Sequence, residues 1–224
     1  MVVIGILAVL SVVIILTLNP AELLKQARDS TRVSDLATLK TAISLYQVSA
    51  GGTLQLGNYD KCYVSVPKSP LGVPAGMNSN WCAMSGPAPG TPGVQRFVTF
   101  PGIPATTGIP NPNLTDGSGW VPVPISAVSA GTGGPPISNL PLDPINSTAV
   151  VSGEINMPTA IGAYYAYRAG NNEPVQANAQ CVGSCTVYEI NAFLESAKFA
   201  PRMVNDGGSS DNLYEVGTDP GLDL

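Results

Sequence analysis

The chain has 224 residues, 44% of them hydrophobic and only 11% charged, with 24 glycines, 21 prolines and no histidine. Ten Lys and Arg against fifteen Asp and Glu give a net charge of −5, which argues against nucleic acid as a partner, since affinity for a phosphate backbone comes from clustered cations. With no histidine, no G-x-S-x-G turn and no phosphate-cradling loop, the sequence does not read as an enzyme. The wealth of turn formers suits a loop-rich extracytoplasmic fold of one sizeable domain.

Residues 1–18, MVVIGILAVLSVVIILTL, form an uncharged apolar run. It lacks the basic leader and small-residue cleavage site of a removable signal, so it reads as a retained segment. About 18 apolar residues can span most of a bilayer core as a helix. From Pro20 the pattern turns amphipathic, with Leu36, Leu39, Ile43 and Tyr46 at helical spacing and Lys25 with Asp29 and Arg32 with Asp35 placed as surface pairs. One long helix to about Ser49 is predicted, closed by Gly51 and Gly52. Pro20 lies inside it, which predicts a kink or local unwinding over residues 17–20.

Residues 52–139 hold most of the prolines. They read as an ordered surface insertion, with Trp81, Phe97, Phe100 and Trp120 as core material and short strands at 96–100 and 119–128. Four cysteines in a chain that leaves the cytoplasm read as two disulfides with three pairings open. The favoured solution is the local one, Cys62 with Cys82 and Cys181 with Cys185. Zinc is disfavoured by the spacing and by the lack of histidine.

The last third reads as a β region. Residues 161–168 (IGAYYAYR) and 186–195 (TVYEINAFLE) suit an antiparallel hairpin, and residues 213–216 a third strand after the NDGGSSDN turn. Glu189 and Glu195 are expected in one strand on one side. Residues 201–224 carry Arg202 alone against Asp206, Asp211, Glu215, Asp219 and Asp223. Of these, Asp206, Asp211 and Asp219 combine oxygen ligands with nearby glycines, as a Ca2+ loop does, although without EF-hand spacing.

An apolar N-terminal helix, its amphipathic continuation, a variable middle and a small C-terminal antiparallel sheet together resemble the type IV pilin and pseudopilin family. VVIGILAVLSVVIILTLNP is similar to the family's hydrophobic segment, and LPLDP at residues 140–144 before a Tyr-rich strand is similar to the major pseudopilins. In the family a Gly cleavage site and a Phe-Thr-Leu-x-Glu motif precede the apolar segment, so residues before Met1 are expected to be missing. The resemblance implies that their Glu neutralises a neighbour's amino terminus inside a dry filament core, where an unpaired charge is costly. It also raises the case for Ca2+ near the C-terminus.

The resulting expectation is an α+β fold. A long N-terminal helix, hydrophobic in its first half, packs on a small antiparallel sheet, with a Pro/Gly-rich, disulfide-stapled insertion. The divisions are 1–50, 51–139 and 140–224. Function is expected to be structural, a pilin polymerising through Val3, Ile4, Gly5, Leu7, Ala8, Leu10, Val13, Ile14 and Pro20, with Gly5 and Ala8 permitting close helix approach. The implied partners are copies of itself, an inner-membrane assembly platform, a prepilin peptidase and an assembly ATPase. The implied location is the inner membrane before assembly and a cell-surface filament after it. The alternatives are the major pseudopilin of a type II secretion system and a membrane-anchored binding domain that never polymerises.

Overall fold

The computed structural model describes residues 2–49, 54, 56–58, 61–66, 78–79, 96–99, 111–129, 134–147, 150–151, 154–155, 158–159, 162–170 and 185–218. Two helices open the chain, α1 (Val2–Leu18) and α2 (Pro20–Ser49). The expected irregularity at Pro20 is a complete break. Asn19 takes φ = 37°, a left-handed conformation that asparagine tolerates better than most side chains. Its carbonyl accepts from the amides of Glu22 and Leu23 at 3.0 and 3.3 Å. Pro20 is therefore the first residue of a new helix, where its missing N–H costs nothing.

The remaining elements are β1 (Lys61–Val64), β2 (Asn78–Ser79), β3 (Arg96–Thr99), a 3-10 turn at Ile125–Ser129, β4 (Val150–Val151), β5 (Glu154–Ile155), β6 (Ala166–Gly170), β7 (Val187–Ala192), a short α3 (Pro201–Val204) and β8 (Tyr214–Gly217). The main sheet has the order β2-β3-β1-β6-β7-β8, and β4 with β5 forms a separate ribbon. The fold is α+β. From β1 through β6 and β7 to β8 every pairing is antiparallel, as expected, whereas β3 lies parallel to β1. The predicted hairpin is β6 with β7, in register from Ala166 opposite Asn191 to Gly170 opposite Val187.

Residues 119–128 do not form the predicted strand. Pro122 and Pro124 alternate through the segment and remove the amides a ladder needs, so it runs as turns into the 3-10 helix. Its apolar side chains still reach the core, where Trp120, Val121, Val123, Ile125 and Val128 are buried.

The core lies between α2 and one face of the sheet. Leu36, Leu39, Ala42, Ile43 and Tyr46 on the helix meet Tyr165, Tyr167, Ala169, Tyr188, Ile190 and Ala192. Tyr167 stacks on Tyr188 with centroids 5.8 Å apart, and Tyr63 meets Tyr167 edge-on at 6.1 Å. Each buried ring needs a partner for its polar tip. Tyr167 donates to the Leu56 carbonyl at 2.6 Å, Tyr165 to Asp35 at 2.8 Å, and Trp120 Nε1 to the Pro141 carbonyl at 2.9 Å.

Candidate assembly surface

Along α1 the side chains of Val2, Val3, Ile4, Ile6, Leu7, Val9 and Leu10 are between 52% and 77% exposed. Among the predicted assembly residues, Val3, Ile4, Gly5, Leu7, Ala8 and Leu10 all lie on this bare helix. A Cβ added at Gly5 would meet nothing within 4 Å. The side chains of Val13 and Ile14 lie outside the described residues, and Pro20 belongs to the break. Among the described residues no helix is long and apolar enough to cross a membrane. The 17 residues of α1 reach about 25 Å at 1.5 Å per residue.

The outward side of α2 is neutral where it carries hydroxyls. Thr31, Thr38, Thr41 and Ser44 each donate to the carbonyl four residues earlier, at 3.2, 2.8, 2.9 and 2.8 Å. Side chains bonded back to the helix in this way do not depend on water for a partner. Leu23, Leu24, Leu45 and Val48 are exposed on the same helix.

Behind this surface an ion network holds α2 to the domain. The fully buried Arg32 meets Asp29 at 2.8 Å, Asp143 at 2.7 Å and Glu195 at 2.5 Å. Burial alone would lower the Arg32 pKa, but these carboxylates outweigh it and raise it above the ordinary value. Burial likewise works against the Glu195 carboxylate, yet hydrogen bonds from Arg28 and Arg32 hold its pKa below the usual range. Asp29 also accepts from the amide of Ser196 at 2.7 Å and its hydroxyl at 2.6 Å. Asp143, the acid of LPLDP, receives the amides of Ile145 and Asn146 at 2.8 and 3.3 Å. Arg32 and Asp35 therefore do not form the expected surface pair. Arg32 is buried in the network, and Asp35 accepts the Tyr165 hydroxyl.

The expected Glu189 and Glu195 pair is also absent. β7 ends at Ala192, so Glu195 lies past the strand and belongs to the α2 network. Glu189 instead pairs with Arg168, which stands opposite it in register on β6. Glu215 lies on the neighbouring β8, its Oε1 3.9 Å from Arg168 Nη2. Burial first, and then the negative charge of Glu189, push the Glu215 carboxyl up to about 8.

Two of the three expected Ca2+ ligands fall within the described residues. Asp206 gives its two oxygens to the amides of Gly208 and Glu215, at 2.9 and 2.8 Å, and Asp211 is exposed. Asp219 lies outside the described residues. Among the described residues no group of acids, cysteines or histidines could hold a metal ion. The two glycines of the turn have a steric role: Gly207 has φ = 87°, and a Cβ on Gly208 would collide with Glu215 Oε2. Cys62 and Cys185 are buried and neither is a free thiol, while Cys82 and Cys181 lie outside the described residues.

Sequence reasoning missed Arg32, Asp143 and Arg168 as organising residues. The signal for the first was charge at positions 29 and 32, on the same helical stripe as Leu36, Leu39 and Ile43. No family model, no curated protein and no solved structure matches this chain.

Proposed function

We propose that the chain is a structural subunit of a type IV pilin-like helical filament, joined to copies of itself through α1 and carrying the domain built on α2 as the outer surface. The observation that carries this reading is the uncovered apolar helix beside a domain whose own core is complete without it. Proteins in water rarely leave contiguous apolar patches above about a few hundred Å2 uncovered, and lipid or other copies of α1 are the natural covers. Burial of such surface is worth roughly 25 cal/mol per Å2, so repeated α1 contacts would hold a polymer together without chemistry in the subunit. The membrane stage before assembly belongs to the same proposal, with α1 as the segment held in lipid. So do the disulfides, Cys62 with Cys82 and Cys181 with Cys185, as staples of the Pro-rich insertion and of the hairpin connection.

Electron cryo-microscopy of filaments sheared from the producing cells tests the reading. A helical polymer traced to this sequence, with α1 at its axis, is expected. If the chain is recovered only by detergent and remains monomeric at every concentration, the filament reading fails and the anchored, non-polymerising domain replaces it. A short polymer confined to the cell envelope would favour the pseudopilin alternative.

A further inference from the structure

We infer that the face of the main sheet turned away from α2 holds a structural water, bound by Glu189 and Asn191 on β7 and Glu215 on β8. Strand register builds the site. Tyr167, Tyr188, Ile190 and Ala192 join the α2 core, so alternation along the strands sends Arg168, Glu189 and Asn191 to the opposite face. Two rows of residues cross the three strands there. One runs Arg168, Glu189, Gly217 and the other Ala166, Asn191, Glu215. Gly217 and Ala166 stand at diagonal corners and supply at most a methyl group, which leaves space between the polar side chains. Because β8 is the edge strand of the sheet, a water in this position adds a second link to β7 beside the ladder.

The three side chains are sealed from solvent and incompletely paired. Glu189, Asn191 and Glu215 are 0%, 1% and 1% exposed. Arg168 donates to Glu189 Oε1, and the Ser210 amide donates to Glu215 Oε2 at 2.9 Å. Among the described residues, the buried atoms without a hydrogen bond include Glu189 Oε2, Glu215 Oε1 and both Oδ1 and Nδ2 of Asn191. Buried polar atoms are almost always paired, and an ordered water serves about two to four of them at once. Both ends of the Asn191 amide are unpaired, so exchanging its oxygen and nitrogen changes nothing. The donor set selects water over a cation. A metal ion would take the oxygens and accept nothing from Asn191 Nδ2, whereas water donates to the carboxylates and accepts from the amide. A cation would also lie beside the Arg168 guanidinium, which pairs with Glu189 and stands 3.9 Å from Glu215 Oε1. The site depends on neither lipid nor assembly, so it stands or falls apart from the filament reading.

The test is nuclear magnetic resonance of the full chain in detergent micelles. The Asn191 side-chain amide protons are expected to show an Overhauser effect from water, with the sign of a molecule that tumbles with the protein. Oxygen-17 relaxation dispersion gives a second readout, because it follows the water oxygen and ignores exchanging carboxyl protons. Asn191→Leu, which removes both unpaired amide atoms at similar volume, should lose a long-lived water from that count. An unchanged count in folded Asn191→Leu overturns the site. So does an Asn191 amide in the parent that is silent toward water, since the side chains would then close on one another; this readout holds even where the variant does not fold. Adding Ca2+ or a chelator should leave the Asn191 amide signals in place. Their displacement would give the site to a cation and overturn the water.

Discussion

Two buried residues carry opposite electrostatic risks. Among the described residues Arg32 pairs with all three of Asp29, Asp143 and Glu195, whereas Arg28 pairs with Glu195. Replacing it with leucine strands Asp29 and Asp143 as uncompensated buried charges, which costs about 3–5 kcal/mol. Urea unfolding of Arg32→Leu at neutral pH is expected to show a loss of that size, and a change under about 1 kcal/mol would remove the network from its structural role. Glu215 lies beside Glu189, with Arg168 on β6, Asp206 and the Ser210 amide on the adjoining turn, and Lys40 of α2 at the edge of the same groove. Its folded pKa, about 8, stands above the ordinary 4.5, so the folded state holds a proton that the unfolded chain releases. This contribution to stability is complete below the ordinary value and is lost as pH rises through about 8. Thermal midpoints should fall from pH 5 to pH 9, and Glu215→Gln should flatten that fall and exceed the parent at pH 9. Parallel slopes for the two proteins would refute the assignment.

At the scale of elements, the break at Asn19 divides what the sequence presents as one continuous helix. Proline at position 20 was a visible signal, but a sequence reading weighs it as a defect inside a helix. The left-handed Asn19 makes it a start site. Asn19→Ala/Pro20→Ala restores an amide and removes a residue suited to positive φ, so the two helices are expected to merge. Spin labels at the exposed Val9 and Ser30 should then lie about 32 Å apart, the length of 21 helical steps, and closer in the parent. A parent already at that separation would show that no break exists in solution. The β6 and β7 hairpin was legible because aromatic and β-branched residues alternate locally on either side of a turn. Residues 119–128 misled for the opposite reason: their apolar content describes burial, while their prolines decide conformation. The ion network could not be read because Arg32 meets Asp143 across 111 positions and Asp29 meets Ser196 across 167. No local period carries pairings of that range.

For the molecule as a whole, the arrangement is one of two parts with separate demands on the sequence. The domain closes on α2, through the tyrosine core and the Arg32 network, whereas the apolar side chains of α1 from Val2 to Leu10 are left uncovered. A substitution on α1 should therefore act on association and leave the domain's folding intact. Leu7, 58% exposed, is a suitable site, because an aspartate there touches nothing in the domain's core yet would be buried without a partner in any α1-to-α1 contact. Leu7→Asp is expected to keep the near-ultraviolet circular dichroism of the tyrosine core and the thermal midpoint of the parent, within the roughly ±0.5 kcal/mol typical of surface changes. It should abolish sedimentable polymer. A lowered midpoint would show that α1 folds against the domain in solution, and unchanged polymer would show that subunits join elsewhere. Only an unchanged midpoint with lost polymer fits a helix whose apolar surface serves assembly rather than the fold.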